Sequence, residues 1–179
     1  STGYEEIVVV TIGTWSNNSA PAIGTGYTNF TSVPPPFLII GNTYSISIET
    51  DLPPGYTFPS YNCWVKVYID FNNDSIYTEP GEIAFSSPIQ SQATATGSFM
   101  VPVGSISSNT GMRVVFEETS IATDITPCGT YTWGETEDYL VLLAPQIPND
   151  VGVISIVNPI NNLIENIVSP VEVTVMNYG

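Results

Sequence analysis

The residues of this chain whose types and spacing suit chemistry lie in the run Asp70-Phe71-Asn72-Asn73-Asp74-Ser75-Ile76. Asp70, Asn72 and Asp74 put oxygen side chains at the first, third and fifth places, and Ile76 can add its carbonyl at the seventh. Calcium takes roughly six to eight oxygen ligands, which a tight loop can converge from alternate residues. Glu82 is the first choice to close such a site, because Pro80-Gly81 can turn the chain back toward Asp70. Glu79 is the local alternative. Glu137 or Asp138 could close it instead if the last strand lies alongside the central one. Magnesium fits less well, since it demands a stricter octahedron and keeps several waters. The bland reading is a solvated turn, because Asp and Asn favour turns without any metal.

Composition narrows the remaining chemistry. The chain has 179 residues, 42% of them hydrophobic, enough for one good-sized domain with a real core plus a fragment. Seventeen carboxylates face only Lys66 and Arg113, a formal net charge of −15. That charge repels nucleic acid and anionic lipid and favours a bound divalent cation. Histidine is absent, which removes Ser-His-Asp and Cys-His catalysis, His-ligated zinc and the usual general base. Two cysteines cannot build a cysteine-rich zinc site. The expectation is a protein that is not an enzyme.

The elements that must position the loop read as short strands. Before it, Val65, Val67, Ile69 and Phe71 alternate with Trp64, Lys66, Tyr68 and Asp70, the pattern of a half-buried strand. Residues 5–12 read as a first strand, followed by a polar excursion over 13–27. Residues 28–32 and three prolines lead to a strand at 37–40, and Gly41-Asn42 suits a two-residue hairpin turn into 43–50. Residues 51–62 read as loop. Further strands fall at 82–86, 93–101, 112–119 and 137–143, and no window carries a helical apolar repeat. The expected fold is all-β, an antiparallel, jelly-roll-like β-sandwich of about eight strands over residues 1–144. A proline-bearing linker, 145–149, leads to strands at 150–157 and 171–177. These read as the truncated start of a second, immunoglobulin-like sandwich, since two strands cannot bury a face alone. The apolar runs are strand-sized, so no membrane insertion is expected.

Six motifs stand in an order that resembles the GEVED domain of large secreted bacterial proteins. They are Tyr4 with its apolar run, Gly26-Tyr27-Thr28-Asn29-Phe30-Thr31, VYIDFNNDSIYTEPGE, Met112-Arg113-Val114, Cys128-Gly129 and Gly134-Glu135-Thr136-Glu137-Asp138-Tyr139. The resemblance spans roughly residues 1–143, and the tail from Asp150 is similar to the opening of a CARDB-type domain. Thr136 replaces the valine of the name motif, and Ser75 replaces the glycine usual at the sixth loop position. Glycine tolerates positive φ there, so Ser75 costs about 1 kcal/mol or loosens the loop. The resemblance implies an accessory module of Bacteroidetes-type surface proteins, exported by the type IX secretion route.

Other features carry competing readings. Cys63 and Cys128 are the only cysteines, and in an exported chain they are expected to form a disulfide, against the alternative of two separate buried thiols. Glu135, Glu137 and Asp138 are either an exposed strand start or a flank to the cation. Paired carboxylates also serve glycosidases, but no catalytic pattern surrounds these. Trp15, Trp64 and Trp133 are possible ligand-contact aromatics for a sugar, against the commoner use of tryptophan in packing. Two functions follow: a non-catalytic, calcium-stabilised secreted or cell-surface module, acting as spacer or contact domain of an adhesin or filament, or an accessory carbohydrate- or substrate-binding domain of a secreted protease or glycoside hydrolase. The partners implied are other domains of the same large chain and a glycan or protein surface ligand.

Overall fold

The structure is a computed structural model that describes residues 5–19, 26–52, 62–77, 81–89, 93–146, 151–158, 168 and 170–177. The chain divides into two units, Ser1–Ala144 and Pro145–Gly179. The first unit is a β-sandwich. One sheet joins β1 (Glu6–Ile12), β2 (Trp15–Asn18), β5 (Thr43–Asp51) and β8 (Thr94–Met100), in the order β2-β1-β5-β8. The other joins β3 (Tyr27–Asn29), β4 (Phe37–Ile39), β6 (Cys63–Ile69), β7 (Ile83–Ile89), β9 (Asn109–Glu118) and β10 (Gly134–Ala144). Its order is β3-β10-β9-β6-β7, with β4 beside the far end of β10.

Between the sheets the alternating residues meet as expected. Ile7, Val10, Ile46, Ile48, Ala95 and Phe99 come from one sheet, and Val65, Val67, Ile69, Val114, Phe116 and Val141 from the other. All are nearly or fully excluded from water, and burying each of them except the small Ala95 contributes about 1.5–3 kcal/mol.

Two expectations are corrected, the hairpin at Gly41-Asn42 and the strandless stretch 13–27. The hairpin turn is at Gly13-Thr14, where Ile12 pairs with Trp15 and Gly13 takes φ +57°, a left-handed value glycine adopts freely. Gly41-Asn42 instead carries the chain from one sheet to the other, since β4 pairs with β10 and β5 with β1 and β8. The polar stretch 13–27 contains β2, whose Trp-Ser-Asn-Asn sequence lacks apolar alternation because it is an edge strand held by the ladder to β1. Finally, β3 and β4 run parallel to β10, a pairing the strand pattern does not reveal.

The central strand β6 departs from the half-buried reading. Cys63, Val65, Val67 and Ile69 line the inter-sheet core, but Lys66 and Tyr68 on the other face are buried too. A segment after β9, with a single 3-10 turn at Ala122–Asp124, covers that face. Ile125, Tyr68 and Val115 form a second apolar cluster, with Trp64, Tyr77 and Tyr131 packed on it. The segment is fastened by polar bonds. Lys66 Nζ and Tyr68 OH both donate to the Ile125 carbonyl at 2.9 Å, and Arg113 Nη1 donates to the Pro127 carbonyl at 2.7 Å.

The same arrangement separates the cysteines, so the expected disulfide is not formed. Cys63 faces the core between the sheets, where burial first, then Glu118 and Glu5, push its thiol up to about 12. Cys128 is exposed on the opposite side of the sheet, with its Sγ 3.8 Å from Arg113 Nη1.

The second unit shows β11 (Val151–Asn158) paired antiparallel with β12 (Glu172–Asn177). Val153, Ile156 and Val175 remain exposed on this two-stranded ribbon.

Gly134 opens β10 with φ +141° against Glu117, and a Cβ there would stand 2.1 Å from the Phe116 carbonyl oxygen. Gly134→Ala is expected to cost about 2–3 kcal/mol through strain and overpacking. A lowered urea midpoint with an unchanged slope would report it.

Candidate metal centre

The loop leaving β6 folds on its own first residue. Asp70 is buried, and its carboxylate accepts the Asp74 N–H at 3.1 Å through Oδ1 and the Ser75 N–H at 2.9 Å through Oδ2. Asn72 Oδ1 accepts the Asp74 N–H at 2.9 Å, and Asp74 Oδ1 accepts the Ile76 N–H at 2.8 Å. Asn72 and Asp74 each reach two residues forward, the habit that makes Asn and Asp turn formers, while Asp70 reaches further, to Asp74 and Ser75. The Asp70 backbone is itself pinned to β9, its N–H donating to Gly111 O and its carbonyl accepting Thr110 Oγ1 at 2.8 Å.

The register of β6 on β7 returns Glu82 to this place. Its carbonyl accepts the Ile69 N–H at 2.9 Å, and its buried carboxylate lies 3.4 Å from the Asn72 nitrogen. Asp70, Asp74 and Glu82 each present an oxygen within 4.8 Å of the others. Asn72 joins the group through its Nδ2, which donates to Asp74 Oδ2 at 3.1 Å. The Ile76 side chain is exposed, leaving only its carbonyl as a possible ligand. Three carboxylates this close repel one another unless a cation intervenes. Arg113 is committed to Asp138, and Lys66 Nζ binds the Ile125 carbonyl. The donor set is all oxygen and fits a hard divalent ion. Glu79 lies outside the described residues.

The last strand does not complete this group. Strand β9 lies between β6 and β10, so the condition set for Glu137 and Asp138 is not met. Asp138 faces outward, where Arg113 grips it through Nε–Oδ1 and Nη2–Oδ2, both 2.6 Å. Tyr27 OH adds a bond to Oδ2 at 2.9 Å. Glu135 and Glu137 are not an exposed strand start either; both are buried on the inner face of β10. Glu135 Oε2 accepts the Ile7 N–H at 2.8 Å, beside a bulge where the register of β1 on β5 shifts, and Oε1 accepts Thr28 Oγ1 at 3.1 Å. Glu137 Oε2 accepts the Tyr139 hydroxyl at 2.6 Å, and that hydroxyl accepts Asn17 Nδ2. Sequence reasoning passed over Asn17, Ser19 and Tyr139 because they meet only when β2 folds against β10. Burial is the first cause that raises the carboxyls of Glu5, Glu6, Glu117 and Glu135, and it takes Glu137 up to about 7.

The three tryptophans share no single platform. Trp15 packs edge-on to Tyr139 at 5.6 Å and donates Nε1–H to the Pro34 carbonyl, whereas Trp64 covers the outer cluster and donates to Ser86 Oγ. Trp133 is 40% exposed just before Gly134.

Comparison with known proteins agrees with the motif reading. A family model of the GEVED domain matches residues 64–142, from the central strand through the last. Among solved structures the chain is similar to a CARDB domain from Pyrococcus furiosus, crystallised in complex with di-metal ions. The identity is 10% and the TM-score 0.38, over 80% of this chain and 92% of that one. The comparison with curated proteins found no match. Among the described residues, no helix is long and apolar enough to cross a membrane.

Two predictions follow from this geometry. Asn73 and Ser75 hold φ of +56° and +68° without being glycine. Ser75→Gly keeps the N–H that binds Asp70 and relieves the strain, so it is expected to stabilise the fold by about 1 kcal/mol, read as a higher urea midpoint. The second concerns pH in chelator. A carboxyl raised in the folded state binds its proton more tightly there than in the unfolded chain, so its contribution is fully present below the unfolded value. It is lost as pH rises through the folded value, for Glu137 from 4.5 to about 7. Each unit within that interval removes about 1.4 kcal/mol per group. Melting temperature should therefore fall between pH 5 and pH 8, and Glu137→Gln should flatten the slope.

Proposed function

We propose that this chain is a non-catalytic, calcium-stabilised extracellular module of a larger secreted or cell-surface bacterial protein. The GEVED match over residues 64–142 supports the extracellular part of this reading, and the observation that carries the calcium part is the convergence of Asp70, Asp74 and Glu82. Asn72 and the Ile76 carbonyl complete the proposed ligand set, and the remaining positions fall to water. The ion would neutralise carboxylates that fold together at the junction of β6, β7 and β9. It therefore acts as a clip on the sheet rather than as a Lewis acid for a substrate. Such a clip suits a spacer or contact domain exposed to extracellular calcium, where even a weak site is filled. Free calcium at a hundred times the dissociation constant adds about 2.7 kcal/mol to stability.

The test is thermal unfolding of wild type and of Asp70→Ala with Asp74→Ala, in calcium and in excess chelator. Calcium is expected to raise the wild-type midpoint by several degrees and to leave the double variant nearly unmoved. Equal wild-type midpoints in both buffers would reduce the loop to a hydrogen-bonded turn and end the calcium reading.

A further inference from the structure

The buried acids of β10 pose a separate problem. Glu137 is wholly excluded from water, and its Oε1 has no hydrogen-bond partner. Its other oxygen, Oε2, takes the Tyr139 hydroxyl. The Ser19 hydroxyl at the end of β2 stands near Glu137 but donates to the Ile7 and Val8 carbonyls, at 2.9 and 3.2 Å. Glu135 projects from the same face two residues earlier, also buried, with both its oxygens held by donors from β1 and β3. Both cationic side chains of the protein are occupied on the outer face of the sheet, Arg113 by Asp138 and Lys66 by the Ile125 carbonyl. A proton on Glu137 Oε1 would need an acceptor and a bare carboxylate oxygen would need a donor, yet among the described residues Oε1 has no hydrogen-bond partner of either kind. An orphaned buried carboxylate oxygen costs more than a neutral polar group, because its hydration is lost without replacement.

We propose that Glu137, with Glu135 beside it, is a second cation site for calcium or a similar hard divalent ion, between the sheets and independent of the Asp70 loop. Among the described residues the polar side chains at Glu137 carry oxygen, the Tyr139 and Ser19 hydroxyls, with the Asn17 amide one step behind on the Tyr139 hydroxyl. Oxygen donors of this kind select calcium-like ions over the nitrogen- and sulfur-seeking metals. The two sites are distinct in the fold. In strand register Glu137 lies beside Val114, Val114 beside Val67, and Asp70 follows three residues beyond Val67. Filling the inner site would tie β10 to the β1–β2 hairpin, as the loop site ties β6 to β7.

The test is cation stoichiometry on the full chain by equilibrium dialysis against calcium, paired with terbium luminescence. The Tyr139 hydroxyl touches Glu137, and Trp15 lies 5.6 Å from the Tyr139 ring, so an ion at this site is sensitised by both. Wild type is expected to bind two equivalents. Asp70→Ala with Asp74→Ala should keep one, with sensitised emission, and Glu137→Gln should lose that one while keeping the loop ion. An unchanged count and emission in a folded Glu137→Gln variant, judged by near-UV circular dichroism, would overturn the proposal. So would a single wild-type equivalent that the loop double variant abolishes, which leaves the loop reading intact. A single equivalent that survives the loop variant and disappears with Glu137→Gln supports the inner site and removes the loop reading. If Glu137→Gln does not fold, Glu135→Gln and the wild-type count decide in the same way.

Discussion

Strand β6 is covered on both faces, and the rest of the sandwich is arranged to keep it so. Its inner face packs into the core through Val65, Val67 and Ile69, each excluded from water. Its outer face would expose Tyr68 and the stem of Lys66 if the segment after β9 did not fold back over them. Two donors on one carbonyl, that of Ile125, hold the segment in place, and Arg113 fastens it again at Pro127. A buried ammonium is tolerated only where its hydrogen bonds are met, so the position of Lys66 depends on this cover as much as the cover depends on Lys66.

This use of the cations shapes the electrostatics everywhere else. With 17 carboxylates and two basic side chains, most acids have no partner of opposite charge within the chain. Exposed carboxylates are solvated and cost little. Those drawn inward, Asp70 and Glu82 at the mouth of the β6–β7 connection and Glu135 and Glu137 between the sheets, rely on peptide N–H groups and hydroxyls. The same scarcity explains the bidentate grip of Arg113 on Asp138, in which one guanidinium serves two strands and a loop. The raised carboxyls of β10 are the electrostatic record of that shortage, since burial heads the causes for both Glu135 and Glu137.

The sequence by itself determined that the fold is all-β, where most strands run, and that Asp70, Asn72, Asp74 and Glu82 belong together. The reason is that these signals are local. Alternation in β5 or β6 reports a sheet face within a few residues, and the Asp-x-Asn-x-Asp spacing with a turn before Glu82 closes within thirteen. Only the tertiary structure decided what lies beside what over longer distances. It put β9 between β6 and β10, which takes Asp138 away from the loop and gives it to Arg113. It buried Glu135 and Glu137, whose acidic surroundings read as a solvated strand start, because the partner hairpin comes from more than a hundred residues upstream. It placed Cys63 and Cys128 on opposite faces of one sheet, and it recruited the polar edge strand β2 through backbone hydrogen bonds that leave no trace in side-chain pattern. Sheet order and the choice of covered face are set by the summed packing of both sheets, and no short window of sequence contains that sum.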